Sequence, residues 1–164
     1  MFMSNRRQFL AGTSVLAGMS FLSLAGCSKT TDSIRIGFML PYTGTYAKLG
    51  TAIENGFRLA LSELGENPFG KNIEFFAVDD ESNPAKATDN ANKIMTRDKV
   101  DVVIGTVHSG VAMGMIKVAQ ETGSLVIIPN AGANAATGAM CAPNVFRTSF
   151  SNWQPTHPLG RIMV

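Results

Sequence analysis

The sequence predicts an α/β fold, a parallel sheet with helices on both faces. Three observations carry it. Short apolar, β-branched runs begin near residues 34, 73, 100, 125 and 145. Longer stretches with apolar residues at a spacing of three and four lie between them. Pro or Gly punctuates most of the changes from one pattern to the other. Strands that alternate with helices have the crossovers that parallel pairing requires.

Ile34-Arg35-Ile36-Gly37-Phe38-Met39-Leu40 reads as the first strand, stopped by Pro41. Ala47 to Leu64 follows as a helix, with Leu49, Ile53, Phe57, Ala60, Leu61 and Leu64 on one face. Gly65 and Asn67-Pro68-Phe69-Gly70 end it. Ile73 to Val78 is the second strand. Asp79-Asp80-Glu81-Ser82-Asn83-Pro84 opens the next helix, with Ser82 or Asn83 as cap and Pro84 in the first turn, and that helix runs to about Thr96. Val100 to Ile104 is almost wholly apolar, as a strand covered on both faces should be. Gly110 to Gln120 is a third helix, broken by Gly123. Leu125 to Ile128 is a fourth strand, Val145 to Thr148 a short fifth, and Pro155 opens a last helix.

The first 26 residues stand apart from this pattern. Arg6 and Arg7 precede an uncharged apolar run from Phe9 to Leu24, interrupted by Gly and Ser. The run is too short and too rich in small residues for a membrane span, so it reads as an export signal of the twin-arginine type. Leu24-Ala25-Gly26-Cys27 resembles a lipobox, which makes Cys27 the expected lipidation site. Ser28 to Ser33 is then a polar tether. The expected organisation is a signal at 1–26, a lipidated Cys and tether at 27–33, and the folded lobe at 34–164. The protein is expected outside the cytoplasm, lipid-anchored to a membrane and not spanning it.

Without the two leader arginines the remaining 14 − 2 = 12 basic residues balance 12 acidic ones. That excludes the basic surface of a nucleic-acid binder. Two cysteines exclude a disulfide scaffold and a Cys-rich zinc module. With Cys27 assigned to lipid, Cys141 has no pairing partner within the sequence.

In a sheet of this kind ligands bind beyond the carboxyl ends of the strands. Those ends are Pro41 to Tyr46, Asp79-Asp80-Glu81, Gly105 to Gly110 and Pro129 to Asn134. Three of the four are rich in Gly, hydroxyls or amides, and free N–H groups at a helix start favour an anion. Gly105 to Gly110 has the spacing of a phosphate loop but lacks its lysine, and no G-x-G-x-x-G follows the first strand. The acidic run reads as support for the next helix's positive end, not as a magnesium site. His108 and Ser109 are neighbours in sequence without a third orienting group or a G-x-S-x-G elbow, so they read as binding or loop residues and not as catalysts. No enzyme activity, cofactor or metal is expected.

These segments together resemble the branched-chain amino-acid (LivJ/LivK-like) type of ABC-importer substrate-binding protein, a periplasmic-binding type I fold. The motifs are Ile36 to Gly44 with Tyr46-Ala47 and Gly50, Asp79 to Pro84, Val103-Ile104-Gly105 with Ser109, and Phe146-Arg147-Thr148-Ser149. The resemblance implies two lobes that close on a solute and dock on an ABC permease, with this chain holding an incomplete N-terminal lobe. It implies that Val107, His108 and Ser109 in one loop, Asn130, Ala131 and Gly132 in the next, and Leu49 over them, bind the ligand. The implied ligand is a small carboxylate-bearing solute such as a branched-chain amino acid. Gly132 stands where amino-acid binders often carry Thr, and His108 is bulkier than usual; both leave room for an aromatic acid or an amide. A ligand sensor of the same fold is the other reading.

Overall fold

The computed structural model describes residues 33–65 and 68–163. The expected signal, Cys27 and most of the tether lie outside the described residues. The elements are β1 (Ser33–Leu40), α1 (Ala47–Glu63), β2 (Asn72–Asp79), α2 (Ala87–Asn92), β3 (Val102–Gly105), α3 (Ser109–Thr122), β4 (Leu125–Ile128), β5 (Val145–Arg147) and α4 (Trp153–Ile162). All five strands are parallel, in the order β2-β1-β3-β4-β5. The expected fold class is therefore observed.

Strand alternation decides which helix covers which face. Ile36, Phe38, Leu40 and Ile104 point to one side, where Ile53, Phe57 and Leu61 of α1 meet them. Phe38 is fully buried there, with Phe57 edge-on at 5.5 Å and Phe75 stacked at 5.8 Å. Burying such a ring contributes about 2–3 kcal/mol. Met39, Val103, Val126 and Ile128 point to the other side and pack with Ala87, Ala91 and Ile94 after β2 and with Val111, Met115 and Ile116 of α3. Toward β5 the α1 face is open, leaving Leu125 and Phe146 exposed. No residue of α4 is buried.

Several element ends differ from the expected ones for local reasons. The third strand starts at Val102 because Lys99 takes a left-handed turn (φ 49°) and Asp101 N–H bonds to the Arg35 carbonyl at 2.8 Å. The helix expected from Pro84 to Thr96 is composite: a 3-10 turn (Pro84–Lys86), α2, and a π turn (Lys93–Arg97). Its cap is Asn83, whose side chain accepts from Ala85 N–H; the Ser82 hydroxyl is buried and has no partner among the described residues. Helix α4 starts two residues before Pro155, where the Gln154 side chain accepts from Ser151 N–H at 2.7 Å, half of a capping box. Gly123 ends α3 in the left-handed conformation, as expected.

Candidate functional site

The carboxyl ends of β1, β2, β3 and β4 come together along one edge of the sheet, and hydrogen bonds stitch their loops into one surface. The β1–α1 loop is held by Asp79 at the end of β2. Its carboxylate accepts from Tyr42 N–H at 2.9 Å, the Thr43 hydroxyl at 2.7 Å and Glu81 N–H at 2.9 Å. Burial alone would raise the Asp79 carboxyl, but these hydrogen bonds outweigh it and hold it below its ordinary value.

Asp80 points the other way, into the protein, and is fully buried. It accepts from the Thr106 hydroxyl and from Ser82 N–H at 2.8 Å. Burial pushes its carboxyl up; the Thr106 and Ser82 hydrogen bonds oppose that. The acidic run thus locks the loops after β1, β2 and β3 together. This corrects the expectation that it mainly serves the following helix's positive end.

The β3–α3 loop is bonded to the β4 loop, where Ala131 N–H donates to the Thr106 carbonyl at 3.0 Å. Gly110 N–H donates to Nδ1 of His108 at 3.1 Å, so His108 is the side-chain cap of α3. With Nδ1 accepting, the proton of the neutral ring sits on Nε2. The Tyr46 ring lies 6.4 Å from the His108 ring, tilted by 45°. Gly110 leaves just enough space for Pro84, whose Cγ would lie 2.8 Å from a Cβ there.

Of the residues expected to bind ligand, Val107, His108, Ser109, Asn130, Ala131 and Gly132 fall on these two adjoining loops. Val107, Ala131 and Gly132 are buried, and His108, Ser109 and Asn130 are half-buried. Leu49 is 46% exposed in the first turn of α1, beyond Tyr46. The surface is a one-sided wall. Two concavities, of about 510 and 580 Å³, lie at the opposite, amino-terminal edge of the sheet.

Sequence reasoning missed the groups behind the wall. Ser149 donates its hydroxyl to the Asn130 carbonyl at 3.2 Å, and Asn152 N–H donates to the Gly132 carbonyl at 2.7 Å. The Arg147 guanidinium donates to the Ala133 carbonyl and to the Thr137 hydroxyl, each at 2.7 Å. A Cβ on Gly132 would lie 2.9 Å from Asn152 Cγ, so a larger residue there has to displace the exposed Asn152 side chain. No local pattern marks these long-range pairings. Tyr46 is the exception, since it lies in the strand-end loop Pro41 to Tyr46 that the sequence pattern marks.

A family model described as "Periplasmic binding protein" matches residues 33–164. The chain belongs to this family. It is similar to the Leu/Ile/Val-binding protein BraC3 of Rhizobium johnstonii, 32% identical over 82% of this chain and 35% of that protein. It is also similar to the crystal structure of an R. palustris ABC-transporter solute-binding protein in complex with benzoate. That likeness is 53% identical, with a TM-score of 0.76, over 80% of this chain and 36% of the other. A solute-binding protein from Rhodopseudomonas palustris BisB5 in complex with 3,4-dihydroxybenzoic acid is 29% identical, with a TM-score of 0.67, over 73% of this chain and 32% of that one. The chain therefore spans about a third of the length of these proteins.

Proposed function

We propose that this chain supplies the N-terminal half of the ligand site in an exported solute-binding protein of an ABC importer, and that the solute is a small aromatic carboxylate. The juxtaposition of Tyr46 and His108 supports this most. Two rings 6.4 Å apart lie at the start of α3, where Ser109 and the positive end of the helix favour an anion. The 53% identity to a benzoate-bound solute-binding protein supports the same reading. In this mechanism Ser109 and the loop N–H groups hold the carboxylate, and Nε2–H of His108 adds a donor at its edge. Val107, Ala131 and Leu49 contribute apolar contact to the body of the solute. The remaining two thirds of the protein close over it, and the closed form docks on the permease. The twin-arginine run and Cys27 support a receptor outside the cytoplasm on a lipid anchor, a reading tested by release of a Cys27→Ala variant from membranes.

The experiment is a thermal-shift panel on the full-length protein with benzoate, hydroxybenzoates, L-leucine and L-phenylalanine. A shift with aromatic acids is expected, weakened by Ser109→Ala. No shift with any small carboxylate would overturn the proposal. A branched-chain amino acid is the second reading, favoured by the Leu/Ile/Val-binding relatives, and a shift with L-leucine alone would establish it.

A further inference from the structure

Resting on the reading of this wall as the ligand site, we propose that Asn152 is a further ligand-binding residue, whose side-chain amide donates to the solute's carboxylate. The wall extends beyond the loops after β1 to β4. The chain that leaves β5 is fastened along the facing loop at four points. Thr148 N–H donates to the Ile128 carbonyl at 3.1 Å, and the Ser149 hydroxyl to the Asn130 carbonyl at 3.2 Å. Asn152 N–H donates to the Gly132 carbonyl at 2.7 Å, and Trp153 N–H to Oδ1 of Asn134 at 3.0 Å. A fifth carboxyl strand end therefore joins the edge where ligands of such sheets bind.

Asn152 stands at the N-cap of α4, where an asparagine ordinarily accepts from the first free N–H groups of its helix. Its side chain makes no such bond. Trp153 N–H goes to Asn134 instead, and the Gln154 side chain accepts from Ser151 N–H. The Asn152 amide lies against Gly132: a Cβ on that glycine would have Asn152 Oδ1 and Cγ as its nearest atoms, Cγ at 2.9 Å. Gly132 is buried and Asn152 exposed, so a solute reaching this part of the wall meets the Asn152 amide. With Oδ1 turned to the glycine, Nδ2 carries two N–H donors that have no partner among the described residues. The backbone beneath is fixed by its own bonds, so the donor is placed before the ligand arrives. Gly132 follows Ala131, whose N–H ties this loop to the Thr106 carbonyl at 3.0 Å. That junction sets the Asn152 amide and the Ser109–His108 start of α3 on adjoining loops, and a carboxylate between them takes donors from both.

The test is calorimetric titration of the full-length protein and its Asn152 variants with benzoate and 4-hydroxybenzoate. Asn152→Ala is expected to raise the benzoate dissociation constant roughly tenfold, the loss of one hydrogen bond to a charged group. Asn152→Asp puts a second anion beside the carboxylate and is expected to raise it at least roughly a hundredfold. Neither change touches the backbone bonds, and matching urea midpoints check the fold. Variants that bind benzoate as the parent does overturn the inference and leave the ligand site standing. Equal losses in Asn152→Ala and Asn152→Asp overturn it too, because a displaced loop gives that result. A loss confined to 4-hydroxybenzoate overturns the assignment to the carboxylate. Should either variant fail to fold, Asn152→Ser carries the test: its hydroxyl is too short to replace the amide, so unchanged benzoate affinity overturns the inference. If the parent binds neither acid, the aromatic-carboxylate reading falls, and the inference with it.

Discussion

Replacing Asp79 by Asn tests whether a charged clamp, and not shape alone, holds the loop that carries Tyr46. The amide keeps one oxygen for the N–H groups of Tyr42 and Glu81, both of which donate to Oδ1. Its NH₂ takes the place of Oδ2, so the Thr43 hydroxyl must turn from donor to acceptor. A hydrogen bond to a charged group contributes about 1 kcal/mol more than one to a neutral group, so three bonds lose about 3 kcal/mol at most. Asp79 is partly exposed and screened by water, which brings the expected loss to about 1.5 kcal/mol at pH 7. Because the native carboxyl lies below its ordinary 3.8, the stabilisation is fully present well above that value. It is lost as pH falls through the lower native value. Urea unfolding of both proteins should therefore show a gap at pH 7 that narrows by pH 3. A gap independent of pH, or an Asn variant as stable as the parent at pH 7, would refute the charged clamp.

Asp80→Asn should change stability at pH 7 by less than about 1 kcal/mol, because the amide can accept from Ser82 and donate to Thr106, while Asp80→Ala should cost about 2–3 kcal/mol; urea titration separates them. The parent should gain stability from Asp80 on mild acidification, since its raised carboxyl carries a penalty only when ionised, and the Asn variant should not. Gly50→Ala should destabilise by about 1–3 kcal/mol despite better helix propensity, because a Cβ would lie 2.8 Å from the Pro41 carbonyl carbon and closer still to its oxygen; thermal unfolding would read it. Gly132→Ala should weaken binding of benzoate by displacing the Asn152 side chain, and in an Asn152→Gly chain it should have little further effect, as measured by calorimetry.

Much of the fold was legible because it rests on periodicity. The strand runs and the three-and-four spacing of α1 survive in any parallel sheet, and both faces follow once the strands alternate. The ends were less legible. Lys99 in a left-handed turn and the Gln154 side chain on Ser151 N–H moved β3 and α4 by two residues, and neither depends on hydrophobic pattern. The candidate site was legible as a place, since strand ends in such a sheet are where ligands meet backbone N–H groups. Six of the seven residues expected to bind are on adjoining loops, with Leu49 in the first turn of α1, but what they could offer a ligand was not readable.

The sequence by itself determined the order of strands and helices, the near-neutral charge and the glycine-rich ends. These are local properties, written in residue type and spacing. Only the tertiary structure decided that Asp79 and Asp80 face opposite ways, one on the Tyr42–Thr43 loop and one on Thr106. It also decided that His108 caps its own helix with Nδ1, and that Ser149, Asn152 and Arg147 occupy the carbonyls of the facing loop. A hydrogen bond spends a particular lone pair, and which one is spent depends on which distant residue the fold brings within about 3 Å.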